Sequence, residues 1–202
     1  MVSTNSDPTS RHVADTVTHS AKLLITGAFG VGKTTLISSV SEIPPLRTEE
    51  QMTTASVGID SLQGLQNKTT TTVAMDFGRR TLADDIVLYL FGTPGQRRFW
   101  DLWYGLSEGA VGVLVLVDTR RLDDSFEVFD QLELNTTMPM AVAINEFDGA
   151  PRYDVADVRS ALDLLPETPI VTCDARERSS SVHALITLVK HAMETTATTA
   201  HR

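Results

Sequence analysis

The residues best placed to do chemistry run from Gly27 to Thr35, G-A-F-G-V-G-K-T-T, and satisfy the spacing G-x-x-x-x-G-K-[ST] of a phosphate-binding loop. Gly27, Gly30 and Gly32 let the backbone curl, with Ala28, Phe29 and Val31 between them, so that successive N–H groups point at phosphate oxygens. A helix beginning at Lys33 adds a favourable dipole for an anion. Lys33 supplies positive charge to β- and γ-phosphates, the Thr34 hydroxyl can coordinate Mg²⁺, and Thr35 completes the loop.

A phosphate loop names no base. The stretch A-I-N-E-F-D places Asn145 and Asp148 in an N-x-x-D spacing. An ionised aspartate is an acceptor-only fork that suits the adjacent N1–H and N2 amino donors of guanine and mismatches the edge of adenine. The same four residues could be only a polar turn after a strand, but downstream of a phosphate loop they point to GTP and GDP. The run Thr69 to Thr72 is either a β-favouring entry to a strand or a second hydroxyl source, and T-P-G-Q at 93–96 is either a turn or part of the site. Phe99, Trp100, Trp103 and Tyr104 read as helix core or as a surface for a protein partner.

Elements that position these residues follow from the apolar pattern. Six short apolar runs read as strands: Leu23 to Thr26, Val73 to Phe77, Ile86 to Phe91, Val111 to Val117, Met140 to Asn145 and Ile170 to Thr172. Helical periods alternate with them at Lys33 to Val40, Phe99 to Leu106, Asp124 to Leu134, Val155 to Leu165 and Val182 to Met193. The eight residues G-R-R-T-L-A-D-D between the second and third runs are too few for a crossover helix, so those strands form an antiparallel hairpin. The expected fold is therefore α/β: a P-loop NTPase of three layers, α/β/α, around a six-stranded, mostly parallel sheet with one antiparallel strand. The connection from Ser41 to Thr71 has no strong period and reads as a functional or disordered loop.

With 202 residues and 42% hydrophobic content, the chain holds one core. Residues 1–20 and 194–202 read as disordered tails around a nucleotide-binding domain at 21–193. A formal charge of −9 with no cluster of Lys and Arg argues against nucleic acid as a partner. The single cysteine, Cys173, forms no internal bridge and reads most simply as a small buried hydrophobe. Without a signal-peptide core, a lipidation motif or a spanning run, the expectation is a cytoplasmic protein with no direct membrane insertion, any membrane contact being made through a partner.

From Ala21 to about Met193 the chain resembles the Ras-superfamily small GTPases, and within them the bacterial gliding-polarity branch and the actinobacterial conservon GTPases. The stretches that carry the resemblance are S-E-I-P-P-L-R-T-E-E, T-T-T-T-V-A-M-D-F-G, L-F-G-T-P-G-Q, V-D-T-R-R-L-D-D-S-F and C-D-A-R. The resemblance implies that Thr72, with Thr71 as the rival register, closes on Mg²⁺ and the γ-phosphate. It implies that Gly95 holds the γ-phosphate by its backbone N–H, that Gln96 orients the attacking water, and that Cys173, Asp174, Ala175 and Arg176 form the base-cradling loop. It further implies roadblock-type and sensor-kinase-like protein partners.

Three positions depart from the pattern. An aspartate usual before Thr93 is Gly92; the lysine whose stem covers the base is Glu146, leaving Phe147 to replace it; and Thr71 stands where the gliding-polarity relatives have an arginine. Arg97 and Arg98 beside Gln96 are either substitutes for that arginine or solvated side chains. Three functions are weighed on these residues: a switch that hydrolyses GTP slowly, a guanine-nucleotide sensor without useful hydrolysis, and an ATP-using P-loop phosphotransferase or ATPase, which Asn145 and Asp148 disfavour.

Overall fold

Alternation along the apolar runs decides the architecture. In the computed structural model, which describes residues 16–44, 46–52, 71–94 and 105–200, the strands are β1 (His19–Gly27), β2 (Leu46–Met52), β3 (Thr71–Ala83), β4 (Ile86–Gly92), β5 (Ala110–Val117), β6 (Met140–Asn145) and β7 (Ile170–Cys173). They form one sheet in the order β2-β3-β4-β1-β5-β6-β7. β4, β1, β5, β6 and β7 pair in parallel, whereas β3 is antiparallel to both β2 and β4. The helices are α1 (Lys33–Val40), α2 (Phe126–Asn135), α3 (Val155–Ala161) and α4 (Arg178–Ala200).

Successive residues on a strand face opposite sides, so each buried strand supplies two cores. Leu23, Ile25, Leu114, Leu116, Ala141 and Ala143 pack under α1 and α4 with Leu36, Ile37, Val40, Leu185 and Leu188. Leu24, Val113, Val115, Val142 and Ile144 pack under α2 and α3 with Val128, Phe129, Leu132 and Val158. This is the expected three-layer α/β/α arrangement with a single antiparallel strand.

The strand count needs correction. Among the described residues seven strands are present where six are expected, because Leu46–Met52 pairs with Phe77 to Thr71 along the sheet edge. Its sequence, L-R-T-E-E-Q-M, carries the charges typical of an edge strand and so lacks the apolar run that marks a buried one. α3 ends at Ala161, short of Leu165, since Asp163 takes φ 50° and Pro166 disfavours a helical Leu165. α4 runs past Met193 to Ala200, where the sequence suggests a tail. The Thr195 and Thr196 hydroxyls donate back to the carbonyls of His191 and Ala192, 2.8 Å each, within this Thr-rich turn. Of the expected helix from Phe99 to Leu106, residues 99–104 lie outside the described residues, and 105–107 are helical. The first fifteen residues of the expected N-terminal tail also lie outside them, whereas His19 and Ser20 already belong to β1. Among the described helices none is long and apolar enough to cross a membrane.

Candidate nucleotide-binding site

β1 delivers the chain to the phosphate loop at Gly27, beside β5. Gly27 takes φ +138°, and a Cβ there would stand 2.4 Å from the Leu116 carbonyl oxygen, so the close approach of loop to sheet requires glycine. Gly32 turns into α1 at φ +107°, with space for a Cβ taken by the Asn145 side-chain nitrogen at 2.5 Å. From α1 the Lys33 ammonium folds back over the loop and donates to the carbonyls of Gly27, 2.7 Å, and Ala28, 2.8 Å. Burial lowers the Lys33 pKa to about 8, against the opposing pull of Asp76.

The neighbouring Thr34 hydroxyl donates to a carboxylate oxygen of Asp76 on β3. Asp76 stands directly across from Gly92 in the β3–β4 register, and a Cβ at Gly92 would lie 3.1 Å from its Cβ. The aspartate missing before Thr93 is thus matched by one on the adjacent strand. Thr34 and Asp76 form a hard-oxygen pair beside the phosphate loop, which fits the one or two protein oxygens through which Mg²⁺ is commonly held next to phosphates. Sequence reasoning misses Asp76, because its meaning depends on strand register; the only signal is one acid inside V-A-M-D-F.

Asn145, buried at the end of β6, ties two loops together. Its Nδ2 donates to the Val31 carbonyl at 2.8 Å and its Oδ1 accepts from the Ala175 N–H at 3.0 Å. Glu146 N–H also donates to the Cys173 carbonyl, 2.9 Å. Cys173 itself is fully buried in the core between the sheet and α4, its thiol hydrogen-bonded to Ser180 and Ser181. Burial raises the thiol pKa.

Asp148 is exposed, and both its oxygens accept from Arg176, at 2.9 and 3.1 Å. Arg176 also grips both oxygens of Asp174, and these bonds hold the two carboxyl groups below the usual range. A cavity of about 270 Å³ gathers Gly32, Thr35, Asn145, Asp148, Ala175 and Arg176, with Phe147 and Arg120 on its wall. Glu146 lines it too, its carboxylate 3.7 Å from Arg152. Arg120 is an addition to the expected set. Its guanidinium lies 3.7 Å from the centre of the Phe147 ring and is chelated by buried Asp118 through Nε, 2.9 Å, and Nη2, 2.7 Å. Arg121 shares Asp118 and reaches the Phe29 carbonyl, 3.1 Å. The pattern V-D-T-R-R is the sequence trace of this cluster.

Most of the expected phosphate and base residues therefore converge on one end of the sheet. Thr71 and Thr72 open β3. Gly95, Gln96, Arg97 and Arg98, with the aromatics at 99, 100, 103 and 104, lie outside the described residues.

A family described as conserved hypothetical ATP-binding proteins matches residues 25–195, from within β1 to within α4. The chain belongs to that family. An uncharacterized protein of Methanocaldococcus jannaschii is 29% identical over 129 residues, spanning 63% of this chain and 70% of its own length. Among solved structures, the G domain of the T. maritima FeoB iron transporter superposes with a TM-score of 0.55 at 18% identity, over 87% of this chain and 98% of that one. The FeoB G domain from Methanococcus jannaschii gives 0.55 at 15% identity, over 87% and 99%. The cytosolic domain of T. maritima FeoB in its apo form gives 0.60 at 16%, over 86% of this chain and 64% of that one. Identities this low establish shared fold. Family and fold together make the chain a nucleotide-binding protein of P-loop NTPase architecture with the fold of a G domain.

Proposed function

We propose that this chain is a small GTPase: it binds GTP and GDP with Mg²⁺ and hydrolyses GTP slowly, as a switch acting on protein partners in bacterial signalling. The observation that carries the proposal is the cavity in which the end of the phosphate loop, the Asn145 latch and the Asp148 carboxylate meet. Loop N–H groups and Lys33 would take the phosphates, Thr34 and Asp76 would hold the metal, and Asp148 would accept from the guanine edge. Bound Mg²⁺ supplies neutralisation of β- and γ-phosphate charge. By resemblance, Thr72 would close on the γ-phosphate, Gly95 would bond it, and Gln96 would orient water. The gliding-polarity and conservon branch, roadblock-type and sensor-kinase-like partners, and a cytoplasmic site belong to the same proposal.

One observation favours adenine instead, and a second weighs against guanine. The family's description is of ATP binding, and both Asp148 oxygens accept from Arg176, which a guanine edge would have to displace. Competition of GTP and ATP for one labelled nucleotide on the purified chain decides the matter. GTP is expected to displace the label at far lower concentration, whereas equal or better displacement by ATP would overturn the guanine reading and leave a nucleotide-binding protein.

A further inference from the structure

A purine held by its edge alone leaves two broad ring faces in water, so a selective base site also covers a face. Near the cavity, one group is built as a flat platform. The Arg120 guanidinium rests on the Phe147 ring at 3.7 Å, and both residues line the cavity. Asp118, 2% exposed, fixes it by accepting from Nε, from Nη2 and from the Arg120 backbone N–H at 3.0 Å. Although burial raises the Asp118 pKa, the Arg120 bonds outweigh it and keep the carboxylate ionised. The Arg120 side chain remains 41% exposed, so pinning does not bury it.

This arrangement suits stacking better than phosphate binding. A guanidinium whose charge is already balanced by a chelating carboxylate attracts a remote phosphate weakly, yet its plane keeps its affinity for π faces and its light hydration. Arg121, on the same Asp118, reaches the Phe29 carbonyl of the phosphate loop, so the platform is braced against the element that would hold the phosphates of the same ligand. Glu146, turned to Arg152, provides no such face.

We propose that Arg120 is the base-stacking residue of this site, its guanidinium covering one face of the purine with Phe147 behind it. The inference rests on the nucleotide-binding reading and extends it to a residue outside the phosphate loop and the N-x-x-D segment. The alternative role, merely pinning the turn at 118–121, predicts a loss of stability without a loss of base contact.

Arg120→Lys separates the two, because lysine keeps a cation for Asp118 and loses the plane. Full-length wild type, Arg120→Lys and Asp148→Asn are compared by calorimetric titration with GDP and with IDP, which lacks the amino group that Asp148 would accept. Arg120→Lys is expected to weaken both ligands by the same factor, about tenfold, with the melting temperature of the ligand-free protein retained. Asp148→Asn is expected instead to shrink the difference between GDP and IDP. If Arg120→Lys binds GDP as tightly as wild type, or weakens GDP but not IDP, the stacking role is wrong. A wild type that prefers ADP sinks the guanine reading alone, provided Arg120→Lys weakens ADP tenfold; a wild type that binds no purine nucleotide sinks both.

Discussion

Lys33 is the residue whose charge depends most on what surrounds it. Its ammonium is held by two carbonyls and lowered by burial to a pKa of about 8, well below the ordinary value of 10.5. Between those pH values the unfolded chain keeps a proton that the folded chain sheds, so this group makes the ligand-free protein more stable as pH rises through the window. Phosphate oxygens in place of carbonyls restore the preference for the charged form and raise the pKa again. Nucleotide binding at pH 9 should therefore take up close to one proton, and affinity should fall by up to about tenfold per pH unit above pH 8. Calorimetry at pH 9 in two buffers of different ionisation enthalpy measures the uptake, and none at all would mean either that Lys33 keeps its proton in the ligand-free protein or that it does not meet the phosphates. Lys33, Thr34, Asn145 and Asp148 are legible from sequence because each sits inside a short motif, G-x-x-x-x-G-K-[ST] or N-x-x-D, whose residue types and spacing name the chemistry. Asp76 and Arg120 are not, since Asp76 acts on Thr34 and stands opposite Gly92, and Arg120 lies on Phe147, all distant in sequence; Asp118, beside Arg120, takes its meaning only from that contact.

At the scale of elements, the junction of β1, the phosphate loop and β5 is the tightest constraint on the site. Gly27 needs both a positive φ and open space, whereas Gly149, at φ +69°, would have nothing within 4 Å of an added Cβ. Alanine at Gly149 should cost only the conformational penalty, about 1 to 2 kcal/mol. Alanine at Gly27 adds a collision with the Leu116 carbonyl and should cost about 3 kcal/mol or more. Urea unfolding with unchanged slope measures both, and equal losses would mean that the loop relaxes freely away from β5. Element legibility follows the same logic of burial. β6 and α1 keep their expected bounds because an apolar period and a turn or glycine mark each end. β2 is hidden by its charges, and the last turns of α4 by threonines whose hydroxyls bond the helix backbone.

For the whole molecule, the proposed switch is tested by its rate of turnover. Phosphoryl transfer is catalysed by positioning and by countering the charge that spreads over the transferred group, and an arginine delivered to that group contributes roughly 10³- to 10⁵-fold. The arginines described around the cavity are already engaged: Arg120 with Asp118, Arg121 with Asp118 and Asp124, Arg176 with Asp148 and Asp174. Arg79, farther along β3, is buried against Glu42. Each would have to abandon a carboxylate before it could reach a phosphate, and Thr71 offers no charge at all. In the proposed switch, charge compensation among the described residues would then fall to Lys33, the loop N–H groups and the metal, with Gln96 to orient water; Arg97 and Arg98 lie outside the described residues. Intrinsic GTP turnover is accordingly expected below about 10⁻² s⁻¹, the scale of a GTPase that carries its arginine in cis, and Gln96→Leu should lower it further. A multiple-turnover phosphate-release assay on both proteins checks this. Fast release that Gln96→Leu leaves unchanged would mean that neither Gln96 nor an arginine supplied by a partner is needed.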